Sequence, residues 1–90
     1  MKGILVSADR FKEICDEKGM SRYALARLIG STDYQMWRLS NGKPTSFRFL
    51  ERLVPVFSLS DIADIIADQD KSDAFTFWYV ATHKPDRKAA

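Results

Sequence analysis

The stretch SRYALARLIGSTDYQMWRLSNG, residues 21–42, limits the folds open to this chain more than any other feature. Ser21 has the chemistry of a helix N-cap, and Thr32 repeats it after an intervening Gly30. Between them Leu25, Leu28 and Ile29 predict a buried stripe at helical spacing. Ala24 and Ala26 are small enough to let a second helix come close. Thr32-Asp33-Tyr34-Gln35 matches a capping box, in which the hydroxyl and the Gln three residues later satisfy each other's amides. A helix is therefore expected from about Asp33, with Met36 and Leu39 facing inward and Asn41-Gly42 closing it.

The rest of the chain is punctuated in the same way. Ser7 caps a first helix whose apolar positions are Phe11, Ile14 and Cys15; Asp9 lies in its first turn, where the helix dipole favours a negative charge, and Gly19 stops it. Pro44-Thr45-Ser46 starts a fourth helix carrying Phe47, Leu50, Leu53 and Val54, which Pro55 should end or kink. Ser58-Leu59-Ser60-Asp61 caps a fifth, with Ile62, Ile65 and Ile66 inward and Asp61, Asp64 and Asp68 mostly outward. AFTFWYVAT, residues 74–82, is aromatic and β-branched. Alternation of Phe75, Phe77 and Tyr79 with Thr76, Trp78 and Val80 favours a strand over a short helix through Phe75, Trp78 and Tyr79. A lone strand is unstable, so it must pair with Ile4–Val6 or with a second copy of the chain. The expectation is a mainly α, five-helix domain over residues 1–73 with its motif at 21–40, a C-terminal strand at 74–83, and a loose basic tail at 84–90.

Charge is unevenly distributed. Met1 to Phe57 carries ten Lys/Arg against six Asp/Glu, Ser58 to Ala74 one Lys against five Asp, and the remainder three basic residues against one acid. Residues 20–52 alone hold six basic and two acidic side chains. The arrangement suits either two solvated faces of opposite sign or a polyanion-facing side and a side turned away. No apolar run approaches the ~18 residues of a membrane span, and MKGILVS is too short an apolar run for a secretory leader, so a cytoplasmic protein without membrane contact is expected. One cysteine excludes an internal disulfide and a cysteine-based zinc site; on its apolar stripe Cys15 reads as a small buried hydrophobe. His83 has no catalytic partner in the sequence, and the aspartates of residues 61–73 do not follow the calcium-loop spacing. No phosphate-cradling glycine loop is present. No metal, cofactor or enzymatic activity is expected.

Two short helices joined by a tight turn within a five-helix pattern form a helix-turn-helix arrangement. The residues GMSRYALARLIGSTDYQMWRLSNGK, within a likeness running from about Ala8 to Phe57, resemble the phage repressor/Cro-type helix-turn-helix family. The shared features are the Leu-Ala pair, the turn glycine, the hydroxyl cap, two apolar residues three apart, and the closing Asn-Gly. Asp33 departs from the neutral or basic residue more usual at the start of the reading helix. The resemblance implies that the third helix enters the major groove with its N-terminal residues at base edges. Asp33, Tyr34, Gln35 and Arg38 would then read bases: Gln pairs with adenine, Arg with guanine, Asp accepts from cytosine N4, and Tyr34 touches a thymine methyl or donates to a phosphate. Ser21, Arg22 and Thr32 stand at helix starts, where amides favour phosphate. By resemblance Asn41, Lys43, Thr45 and Arg48 meet the DNA backbone. Arg27 and Arg52 read as solvated, and Trp37 divides evenly between packing on the fourth helix and meeting DNA or a partner.

The expected function is sequence-specific binding of double-stranded DNA by a small transcriptional regulator of phage or prokaryotic type. It would act by operator occupancy as a homodimer, because a lone module buries limited DNA surface. Phe75, Phe77, Trp78 and Tyr79 are the expected dimer contact. The alternative is an antitoxin-like module that binds a protein partner and its own promoter.

Overall fold

The computed structural model describes residues 3–83. They form six helices: α1 (Ala8–Glu17), α2 (Arg22–Ile29), α3 (Asp33–Ser40), α4 (Phe47–Leu53), α5 (Leu59–Ile65) and α6 (Gln69–Thr82). Five begin at a hydroxyl cap. Ser7, Ser21, Thr32, Ser46 and Ser58 each accept a hydrogen bond from the amide three residues on, at 3.0–3.2 Å. Each such bond satisfies one of the four amides that a helix start leaves unpaired. Gly30 ends α2 in the left-handed region at φ +70°, a conformation in which a Cβ would be strained. α4 stops at Leu53, two residues before Pro55.

α2 packs on α3, α1 on both α3 and α5, and α5 on α6. Leu25, Met36, Leu39, Leu50, Leu53, Ile62 and Ile65 are fully buried where these helices meet, with Phe11 and Ile14 from α1. These are inward positions predicted from spacing, although Ile29 and Phe47 are only half-buried and Phe49, not foreseen, is buried. Leu28, assigned to the buried stripe of α2, is 62% exposed. An eight-residue helix lying on neighbours along one side buries a narrow stripe, and Leu25 with Ala26 fill it.

The C-terminal segment is helical, not a strand, and brings the helix count to six. Asp68 caps α6 by accepting from the Asp70 amide, so the helix is under way six residues before the aromatic run begins. Phe75 is then fully buried, and its ring lies 5.3 Å from that of Phe47, with Trp78 and Tyr79 at 6.0 and 6.1 Å. Positions 75, 78 and 79 share one face only at helical spacing. Burying them on α4 and α5 outweighs a local β preference worth ~1 kcal/mol at most.

Ile4–Val6 therefore has other partners. Ile4 exchanges two 2.8 Å backbone bonds with Thr45, Val6 bridges Ile66, and Ser7 donates to the Ile65 carbonyl at 2.7 Å. The N-terminal segment thus ties the loop after α3 to the loop before α6. The expected tail, 84–90, lies outside the described residues.

Candidate nucleic-acid interface

The tight turn between α2 and α3 is built from backbone. The Ser31 amide donates to Ala26 O at 2.8 Å, and Gly30 donates to Arg27 O. A side chain from elsewhere completes it: Arg52 Nη2 on α4 donates to the carbonyls of Ile29 and Gly30 at 3.0 and 2.9 Å. Arg52 is exposed, as its sequence context leads one to expect, yet it is tied to the turn. Its partners lie 22 and 23 residues away, so no local pattern announces them.

α3 turns Met36 and Leu39 into the core and leaves Asp33, Tyr34, Gln35 and Trp37 exposed. Tyr34 and Trp37 stack on each other, their ring centroids 6.0 Å apart and the planes 15° from parallel. Arg38 is half-buried and already engaged. Its Nη2 donates to the Pro44 carbonyl at 2.7 Å, and its guanidinium carbon lies 5.9 Å from the Tyr34 ring centroid. One nitrogen is thereby committed to holding the following loop, while the guanidinium fork has further donors.

The expected backbone-contacting residues divide in the same way. The hydroxyls of Ser21 and Thr32 cap their own helices by accepting from the Ala24 and Gln35 amides, and the amides ahead of these have no intrahelical partner. Asn41 Nδ2 donates to the Trp37 carbonyl at 2.8 Å and so closes α3. The backbone of Thr45 is taken by Ile4. Arg22, Lys43 and Arg48 are exposed. Gln35, Arg38, Arg48 and Arg52 border one open groove of about 680 Å³ with Thr45 and Ser46. Three guanidinium groups and the amides of a helix start make this a surface for an extended anion. Glu51 is the acidic side chain on the groove, and the His83 imidazole, stacked on Tyr79, contacts it.

The four residues expected at a dimer contact are separated. Phe75 is in the core, and Trp78 and Tyr79 are half-buried against it. Phe77 alone of the four stands out, 76% exposed, with Val80 exposed near it on α6. Burial pushes the Cys15 thiol up to about 11, with a smaller contribution from Asp16, which keeps it protonated and unreactive at neutral pH. Hydrogen bonds from Arg10 to Asp64 and Glu13 raise the guanidinium's already high pKa and tie the acidic side of α5 to α1. Among the described residues there is no His/Cys/Asp/Glu group able to hold a metal, and no helix is long and apolar enough to cross a membrane.

A short capped helix, a glycine turn, and a second short helix with a polar outer face over a cationic groove define a helix-turn-helix DNA-binding domain. The chain belongs to the Cro/C1-type helix-turn-helix DNA-binding domain family, whose model matches residues 10–71. Searches of curated proteins and of solved structures returned no match. The matched span begins in the first turn of α1, takes in α2 to α5 and ends just inside α6.

Proposed function

We propose that this DNA-binding regulator recognises a specific duplex operator and acts by occupying it, as a repressor does, in the form of a homodimer. The outer face of α3 carries the reading. It offers Asp33, Tyr34 and Gln35 at the end where unpaired amides favour phosphate on either side of a groove. Gln35 is the principal base reader, through adenine N6 and N7. Arg38 reads with the donors that Pro44 does not take, and Asp33 penalises any register that brings a phosphate close to it. Arg22, Lys43 and Arg48 position the protein on phosphates, together with the first amides beyond Ser21 and Thr32 and the loop of Asn41 and Thr45. Residues 1–73 do this work, and residues 74–83 bring two copies together through Phe77.

A protein-partner reading draws on a different observation. The acidic start of α6 and exposed Phe77 form a surface of another character from the α3 side. An antitoxin-like protein would hold a basic or apolar partner there and its own promoter at α3. Selection of bound sequences from a random duplex library at near-physiological salt separates the two. The operator reading expects an enriched two-fold site with half-sites about one helical turn apart. Salt-sensitive retention with no enriched motif would remove it in favour of partner binding.

A further inference from the structure

The stacked pair on α3 has no part in the fold's core. Tyr34 is 61% and Trp37 44% exposed, and neither belongs to the buried cluster. Trp37 stacks on Tyr34 of its own helix and keeps close to half of its surface open to solvent. Tyr23 from α2, 55% exposed, adds a third ring. These three rings with Arg22 and Asp33 border a shallow cleft of about 300 Å³ between α2 and α3. Three aromatic rings left wet on two eight-residue helices are an apolar patch of the kind that marks a binding surface.

The charges around the cleft orient its occupant. Arg22 lies in the first turn of α2, where a phosphate is favoured twice, by the guanidinium and by the helix amides. Asp33, which also borders the cleft, disfavours a second phosphate. The three rings are the uncharged part of the lining that remains to meet the groove floor. There every base pair offers polar donors and acceptors, and thymine adds an apolar group, its C5-methyl. An aromatic face gains little from a purine N7 or O6, and it gains by removing a methyl from water. The Tyr34 ring is held in place: Trp37 stacks on it, and the guanidinium of Arg38, anchored on Pro44, lies over it at 5.9 Å from the centroid.

We propose that the Tyr34–Trp37 ledge reads the 5-methyl group of thymine in the operator, which makes Trp37 a specificity-determining residue. The assignment rests on α3 being the DNA-facing helix. It concerns apolar readout and is separate from the hydrogen-bonded readout of Gln35.

The test uses the duplex enriched by selection, resynthesised with uracil in place of one thymine at a time. Uracil lacks the methyl and keeps every hydrogen-bonding group. For the full chain, affinity should fall about three- to tenfold at one or two positions per half-site, the effect of exposing one methyl group or slightly more. In Trp37→Ala the same substitutions should change nothing, whereas Trp37→Phe should keep the discrimination. Unchanged far-ultraviolet circular dichroism would show that both variants fold. Equal binding of thymine and uracil duplexes by the wild type, or full methyl dependence in Trp37→Ala, would overturn the ledge while leaving α3 as the reading helix. Failure to retain any duplex above background would overturn both.

Discussion

Gln35 and Lys43 stand eight residues apart on one short helix-loop segment, yet their chemistry suits them to opposite roles. Gln35 is exposed on the first turn of α3, and its amide can pair two atoms of one base. Lys43 is exposed on the following loop and offers a point charge. Gln35→Ala should therefore cost about 1–3 kcal/mol on the best site and relax preference at one base pair. Lys43→Ala should weaken all sequences alike and lower the slope of log affinity against log salt by about one. Titrations of both variants on the selected site and on a scrambled duplex, at several salt concentrations, check this. Identical behaviour would dissolve the division between reading and positioning. The exposure of Gln35 was legible from the 3.6-residue repeat, since Met36 and Leu39 fix which side of α3 is inside. The state of Arg38 was not. Its bond to Pro44 depends on where the loop lies, and the loop lies there because Ile4 pairs with Thr45.

At the scale of elements, the hydroxyl caps of α1 to α5 and the glycine stops were readable, because each is local to a few residues. The Asp68 cap of α6 was missed, and the Gln35 side chain makes no return bond to the Thr32 amide. Five hydroxyls foreseen at helix starts accept the bonds expected of them. The placement of α2 against α3 needs more. Arg52 reaches from α4 to the last carbonyls of α2, where the helix dipole favours a cation. Arg52→Ala should lower stability by about 1 kcal/mol, since the bonds are at an exposed site. It should also weaken specific binding more than non-specific binding, because a looser turn lets α3 drift in the groove. Thermal unfolding together with affinity on matched and scrambled duplexes measures both. Loss of stability with an unchanged specificity ratio would limit Arg52 to a structural role. The misread element was α6. Over nine residues, an aromatic and β-branched run satisfies strand alternation and a helical stripe equally well. The contest was settled outside that window, by the Asp68 cap before it and by Phe47 across from it.

For the whole molecule, α6 buries three of its aromatic residues wholly or in part and leaves the fourth exposed. Phe75, Trp78 and Tyr79 complete the core, so truncation after Asp73 would open it and report on folding as much as on association. Phe77→Asp is the cleaner probe. Its site is exposed, so the monomer should fold with stability changed by no more than about 0.5 kcal/mol. Sedimentation equilibrium should show the dimer lost, with two-fold operator binding weakened in parallel. A dimer that survives the substitution would exclude α6 as the contact. Charge is also distributed at this scale: Arg22, Arg38, Lys43, Arg48 and Arg52 gather around α3, whereas Asp61, Asp64, Asp68, Asp70 and Asp73 lie on α5 and the start of α6. That separation was visible along the chain because each helix is a contiguous segment.

The sequence by itself determined where five of the helices begin, which residues of α3 face inward, and that the pair α2–α3 is a helix-turn-helix of the repressor/Cro type. Those features follow from hydrogen bonds and periodicities that span fewer than about five residues, so the chain carries them whatever its surroundings. Tertiary structure decided the helical state of residues 75–80, the exposure of Leu28, the anchoring of Arg38 on Pro44, the clamp of Arg52 on the turn, and the outward stack of Tyr34 and Trp37. In most of these the competing arrangements are nearly equal in local energy, and burial against an element distant in sequence, or a bond to one, breaks the tie.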